Sequence, residues 1–191
     1  MKLKATSIRL PLGDYMHTGV YGSGYLATVI ASCIADFGLP VTCFDDNAAK
    51  LDAIATGEFP YFEKNLKDIV KRNVRTGRLN FTTEIEPLTK RARVFILAQD
   101  GAQYIEDMAA RIGLLGTQDH ILVIATPVTV GTARRIETKL RASGSKAVVV
   151  SHPIFLTDGC AVEDFAVDEW PAASWLVLGA VIPAPLRGNT R

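Results

Sequence analysis

Net charge, cysteine and long apolar runs are all scarce in this chain, and each scarcity excludes a class of function. Lys and Arg number 21 against 20 Asp and Glu, a net charge of +1. No electrostatic field therefore exists to gather nucleic acid or an anionic membrane, and neither is expected as a partner. No apolar stretch reaches the ~20 residues needed to cross a bilayer. The start, Met1 to Arg9, carries positive charge with no apolar core behind it, which makes a poor secretory signal. The three cysteines, Cys33, Cys43 and Cys160, are widely spaced and odd in number. Buried free thiols are expected at Cys33 and Cys43, and a structural thiol at Cys160, rather than a disulfide framework. The three histidines, His17, His120 and His152, lie far apart. No metal site is predicted, because further ligands cannot be placed beside any of them. Together these absences lead to the expectation of a soluble cytoplasmic protein, without internal repeats or low-complexity segments.

What is present has the composition of a globular domain: 191 residues, 48% hydrophobic and 21% charged, enough for one core. The organising stretch is Val20-Tyr21-Gly22-Ser23-Gly24-Tyr25-Leu26-Ala27, which reads as a strand, a glycine turn and a helix start. Gly22 permits a tight turn, Gly24 lets a pyrophosphate approach the main chain, and Ala27 stands where the third small residue of G-x-G-x-x-G/A belongs. The amides that open the helix would meet the phosphate charge. Asp45 follows a second apolar run about 20 residues on, where a carboxylate can accept from ribose hydroxyls. An acid at that position favours NAD over NADP, since it repels a 2′-phosphate. A fold that has kept this outline without a ligand is the competing reading.

In chain order, residues 1–15 read as an irregular extension with Pro11 and Gly13 as breakers. A strand is expected over 16–21 and a helix over 25–37, ended by Gly38 and Pro40. A strand ends at Asp45, Asn47 caps a helix closed by Gly57, and another helix runs through Leu66 to Val74 and stops near Gly77. Strands follow at 79–83, 94–98, 121–125 and 147–150, with helices at 102–114 and 131–142 and a further strand at Trp175-Leu176-Val177-Leu178. Asp164 and Glu163 read as a solvated or capping segment. The basic positions from Lys64 to Arg78 read as a solvated helix face, and Phe59, Tyr61 and Phe62 as packing anchors. This alternation predicts an α/β, Rossmann-like, doubly wound and mostly parallel sheet with helices on both faces, occupying 16–180, then an irregular tail at 181–191.

These motifs resemble the N-terminal NAD-binding domain of the UDP-glucose/GDP-mannose dehydrogenase family. Gly22-Ser23-Gly24-Tyr25 matches its G-x-G-Y opening, and Val41 to Asp45 with Lys50 matches its second strand and following helix. The most specific piece is Gly57-Glu58-Phe59-Pro60-Tyr61-Phe62-Glu63, followed by Leu66, Val70 to Val74, Gly77-Arg78-Leu79 and Phe81-Thr82-Thr83. Val130-Gly131-Thr132 matches the end of the S-T-V-P-V-G-T loop. His152-Pro153-Ile154-Phe155-Leu156, Gly159 and Ala161 to Phe165 match N-P-E-F-L…G-x-A-V-E-D-F. The family oxidises a sugar C6 alcohol to a carboxylate in two NAD-linked steps. The resemblance implies main-chain contacts from Gly22, Ser23, Gly24, Tyr25 and Leu26 to the pyrophosphate, with Asp45 on the adenosine ribose. Lys50 is either near that ribose or a solvated helix lysine. The implied cofactor is NAD, with a nucleotide sugar as a possible second ligand; the oligomeric state is not fixed.

Departures from the family pattern limit the chemistry. Where the family has V-G-T-P, this chain has Ala98-Gln99-Asp100-Gly101. Counting back from Gly131 puts Thr126 at the loop's Ser and Pro127 at its functional Thr, whereas a one-residue slip puts Thr126 there. The catalytic Glu of N-P-E-F-L is Ile154, and an alkyl chain neither takes a proton nor orients a water. The family's Cys nucleophile and associated Lys belong to a region with no counterpart in this sequence. No catalytic residue is therefore assigned, and two readings stand: an NAD-binding domain of a nucleotide-sugar dehydrogenase, or a non-catalytic regulatory protein on the same fold.

Overall fold

The computed structural model describes residues 17–116 and 119–165. The extension at 1–15, the strand expected at 175–178 and the tail at 181–191 lie outside the described residues. Six strands, β1 (His17–Tyr21), β2 (Val41–Phe44), β3 (Leu79–Thr82), β4 (Ala92–Leu97), β5 (Ile121–Ile124) and β6 (Val148–Ser151), form one sheet in the order β3-β2-β1-β4-β5-β6. Every pairing is parallel. The helices are α1 (Tyr25–Asp36), α2 (Ala48–Thr56), α3 (Leu66–Arg75), α4 (Ile85–Arg91), α5 (Ala102–Leu115), α6 (Thr132–Ala142) and α7 (Ala161–Asp164). The sheet is thus the doubly wound one expected from the strand–helix alternation.

The strands are apolar at consecutive positions because both faces are covered. Val20, Cys43, Val94, Ile96 and Val123 point to one face, where they meet Ile30 and Ile34 of α1 and Leu66 and Val70 of α3. Their neighbours Tyr21, Phe44, Phe95, Leu97, Leu122 and Ile124 point the other way, onto Leu88 of α4, Ile105, Met108 and Ile112 of α5, and Ile136 and Leu140 of α6. This period-two alternation splits one apolar run between two cores.

Local signals set most boundaries. The Asn47 side chain accepts the Lys50 N–H at 3.1 Å to cap α2, and Gly57 closes that helix at φ 76°. Two short helices were not anticipated. In α4, Pro87 sits in the first turn, where its missing N–H costs nothing. In α7, Asp164 accepts the Thr157 N–H at 3.1 Å and Glu163 pairs with Lys64 at 2.6 Å, so the segment is both capping and solvated. The chain crosses from β3 back to β4 beside β1. The switch point, and with it the crevice, therefore lies beyond the carboxyl ends of β1 and β4.

His17 sits at the opposite end of β1, 8% exposed, with Nε2 2.8 Å from the Thr42 hydroxyl. Burial, helped by the nearby Arg91 charge, lowers its imidazole from 6.5 to about 4. The folded state thus binds fewer protons than the unfolded one between those values. That stability is fully present above about pH 6.5 and is lost as pH falls towards 4. His120, lowered in the same direction by burial, adds to the slope. A lowering of this size corresponds to about 3 kcal/mol as an upper bound. Urea unfolding of wild type between pH 7 and 4 should show this loss, and His17→Gln should flatten most of it.

Candidate functional site

β1 is paired on both sides up to the turn that follows it. The Gly22 N–H donates to the Phe44 carbonyl at 2.9 Å, and the Ala98 N–H donates to the Tyr21 carbonyl at 2.9 Å. Between these two ladders the main chain turns through Gly22 at φ +122°. A Cβ there would lie 3.2 Å from Ala27 Cβ and 3.3 Å from the Ala98 carbonyl carbon, so both backbone and space call for glycine. Gly24 differs: its backbone is extended, at φ −81° and ψ −177°, and a Cβ would meet nothing within 4 Å. Gly24 is also the N-cap of α1, which has no side-chain cap and no acid in its first turn. The helix therefore opens with unsatisfied amides beside unfilled space, the arrangement that receives an anion.

Asp45, one residue beyond β2, is held from two directions. Its Oδ2 accepts from the Ser23 hydroxyl at 2.8 Å and its Oδ1 accepts the Asn47 N–H at 2.8 Å. Each carboxylate oxygen retains lone-pair capacity for a further donor. Beneath the turn, the Cys43 thiol donates to the Gly22 carbonyl at 3.1 Å, and burial pushes that thiol up to about 12, so it remains neutral. Two clefts meet at Lys50. One, of about 570 Å³, is walled by Tyr21, Asp45, Asp46, Lys50, Gln99 and Tyr104. The other, of about 320 Å³, lies between Gly24, Tyr25, Lys50, Ile54, Phe59 and Tyr61. The larger falls within the size range of small-molecule sites.

Residues 16–170 match the UDP-glucose/GDP-mannose dehydrogenase family, NAD binding domain. The chain belongs to that family. It is 34% identical over 162 residues to a UDP-glucose 6-dehydrogenase of Rhizobium meliloti, covering 78% of this chain and 37% of the relative. It is 33% identical to UDP-glucose 6-dehydrogenase YwqF of Bacillus subtilis over 161 residues, with the same two shares. Among solved structures, a UDP-glucose dehydrogenase from Pyrobaculum islandicum superposes with a TM-score of 0.73 at 27% identity, covering 88% of this chain and 45% of that one. A GDP-mannose dehydrogenase from Pseudomonas aeruginosa gives a TM-score of 0.75 at 23% identity, covering 87% and 44%, a likeness of fold. The chain spans little more than a third of the curated relatives it matches. The family's cofactor on this domain is NAD.

Against the family pattern, the structure brings Ser23, Gly24, Tyr25, Asp45 and Lys50 together around the two clefts, with Gly22 buried in the turn between β1 and α1 and Leu26 half-buried in the first turn of α1. Thr126 stands apart. It is 2% exposed beyond β5, lines neither cleft, and its hydroxyl has no hydrogen-bond partner among the described residues, whereas Pro127 is exposed. Gln99, in the altered V-G-T-P position, lines the larger cleft, and its Oε1 would lie 3.2 Å from a Cβ on Gly22. Ile154 is 6% exposed in the core under α1, and its N–H donates to Ala125 at 2.8 Å. Cys33 and Cys43 are buried free thiols, but Cys160 is exposed, because it precedes α7 at the surface instead of packing beneath it. Phe62 is 81% exposed and so is not an anchor, while Phe59 and Tyr61 stack on each other at 4.9 Å. Among the described residues, no three His, Cys, Asp or Glu gather as metal ligands.

The family pattern flagged Glu63 only as a match, yet it is 5% exposed and accepts from the Tyr25 hydroxyl at 2.6 Å, the Gly159 N–H at 2.9 Å and the Val162 N–H at 3.2 Å. The available signal was an acid closing the aromatic run Phe59-Pro60-Tyr61-Phe62, a setting in which a carboxylate needs donors. The two turn glycines should separate by stability. Gly22→Ala should lose about 1–3 kcal/mol in urea unfolding, whereas Gly24→Ala, with allowed backbone and open space, should stay within about 0.5 kcal/mol of wild type.

Proposed function

We propose that this chain binds NAD across the crevice at the carboxyl ends of β1 and β4 and, as a lone chain, does not oxidise a nucleotide sugar. The observation that carries the first half is the Ser23–Asp45 contact at 2.8 Å beside the open approach to Gly24. In this reading the amides of Ser23, Gly24, Tyr25 and Leu26 face the pyrophosphate, and Gly22 makes the turn that presents them. Asp45 accepts from the adenosine ribose diol, Lys50 stands at the same ribose, and the larger cleft takes the adenosine. Thr126, with a buried hydroxyl that has no partner among the described residues, is the candidate group towards the nicotinamide end. NAD, when bound, supplies the hydride acceptor for oxidation of an alcohol.

The second half rests on Ile154. The relatives are named as 6-dehydrogenases of UDP-glucose, and the family resemblance puts a carboxylate where this chain buries an alkyl group. No proton can be taken or held at that position. A domain that binds the cofactor while chemistry comes from elsewhere, or that senses NAD or a nucleotide sugar, fits this combination.

Calorimetric titration of the full chain should give saturable binding of NAD and little or none of NADP. Asp45→Ala should weaken NAD binding about 10- to 100-fold, equivalent to losing one charged hydrogen-bond set. Mixing the chain with NAD and either UDP-glucose or GDP-mannose should yield no NADH above the protein-free rate. Undetectable heat at millimolar NAD would remove the binding claim, and steady NADH formation would remove the claim of catalytic silence.

A further inference from the structure

Glu63 is a buried carboxylate that the proposed binding reaction does not use directly, and it joins two parts of the crevice that are remote in sequence. One of its oxygens accepts from the hydroxyl of Tyr25, the residue immediately after the N-cap of α1. The same carboxylate receives the main-chain N–H groups of Gly159 and Val162, 96 and 99 residues away. The segment so held begins three residues beyond Ile154, is closed by the Thr157–Asp164 contact at 3.1 Å, and anchors Ala161 and Phe165, both fully buried, in the core that also contains α1. The Tyr25 ring packs edge-on against Tyr61 at 5.1 Å, so the phenol has a fixed approach to Glu63.

We propose that Glu63 is a positioning residue through which a dinucleotide at the glycine turn fixes the segment Thr157–Asp164, making cofactor binding and segment docking one linked equilibrium. This rests on the dinucleotide reading above. The first turn of α1 has no side-chain cap, so its N–H groups are donors left for an anion to satisfy. A pyrophosphate would satisfy them and hold that turn, and with it the Tyr25 phenol, in one place. The phenol's hydrogen bond then fixes the carboxylate that receives Gly159 and Val162. Linkage is reciprocal: a docked segment must favour the dinucleotide by the same factor with which the dinucleotide favours the docked segment. Gln at 63 would weaken the link, because its one acceptor oxygen can keep the Tyr25 hydroxyl and the Gly159 N–H only by turning its NH₂ group against the Val162 N–H.

The test is hydrogen exchange by mass spectrometry on the full chain, reading peptides across Thr157–Asp164 with and without NAD, alongside calorimetry. In wild type, NAD should slow exchange there about fivefold or more, the lower end of ordinary coupling factors. Glu63→Gln should lose most of that protection and bind NAD several-fold more weakly. Tyr25→Phe removes the phenol's hydrogen bond but leaves the Glu63 bonds to the segment. It should lose the NAD-dependent protection with the segment still docked, and it decides the matter if Glu63→Gln does not fold. Wild type that binds NAD with unchanged exchange overturns the coupling alone. So does a Glu63→Gln variant whose exchange rises equally with and without NAD at unchanged affinity, the signature of a purely structural carboxylate. Wild type that does not bind NAD overturns the dinucleotide reading, and this inference with it.

Discussion

Two hydrogen-bonded ladders meet at the end of β1, and the chain must turn between them where no Cβ fits. Gly22 resolves that conflict, and the rest of the crevice follows from its geometry. Its N–H holds the end of β2 through Phe44, while Tyr21, one residue earlier, holds the end of β4 through Ala98. The turn cannot drift relative to either neighbour, so α1 starts at a fixed place over the sheet. Ala27 is small because it faces the turn, and Cys43 supports the Gly22 carbonyl from beneath. A phosphate-sized approach at Gly24 is therefore a consequence of strand pairing, not an independent feature.

The Ser23–Asp45 contact adds electrostatic preorganisation to that frame. A free carboxylate at a strand end samples several rotamers, and ordering it on binding costs roughly 0.5–1.5 kcal/mol. Here two donors, the Ser23 hydroxyl and the Asn47 amide, fix it beforehand. The same Asn47 caps α2, so the orientation of the acid and the start of the helix carrying Lys50 are set by one short loop. Arg111 of α5 lies over the Phe44 ring at 5.6 Å and within 3.4 Å of Asp46. It thereby offsets part of the negative potential of two adjacent acids without occupying Asp45.

The parts of this architecture that could be read from the sequence are those encoded by neighbours in the chain. The continuous apolar run Val94-Phe95-Ile96-Leu97 announces a strand covered on both faces, and Asn47 and Gly57 mark the two ends of α2. The turn glycines and Asp45 were legible because their spacing in the chain fixes their meeting in space. Glu63 was not, since its donors lie 96 and 99 residues away and no local pattern brings them together. Helix α4, at seven residues, is too short to show a helical period, and Pro87 within it is a breaker by composition and harmless by position. That position 154 carries an alkyl chain and not a carboxylate was visible, but not the direction of that side chain. That direction depends on the Ala125 carbonyl capturing the Ile154 amide.

The two ends of the crevice are built by different physics. The proposed pyrophosphate end is built from main-chain amides, a glycine turn and one preheld acid, all fixed by strand pairing. Substitution elsewhere leaves it intact so long as the sheet forms. The end near β5 and β6 depends on side chains, and there Ile154, at the position where the family resemblance implies a carboxylate, is buried. An isoleucine at 6% exposure contributes about 1.5–3 kcal/mol relative to an exposed one. A carboxylate in the same orientation would instead bear a desolvation cost of several kcal/mol. The packing of Ile154 under α1 is thus a stable alternative to an acid facing the crevice. Under the proposed reading, proton transfer at this position would require the backbone at Ile154, held by its N–H bond to the Ala125 carbonyl, to turn its side chain out of the core, which is a change of backbone as well as of residue.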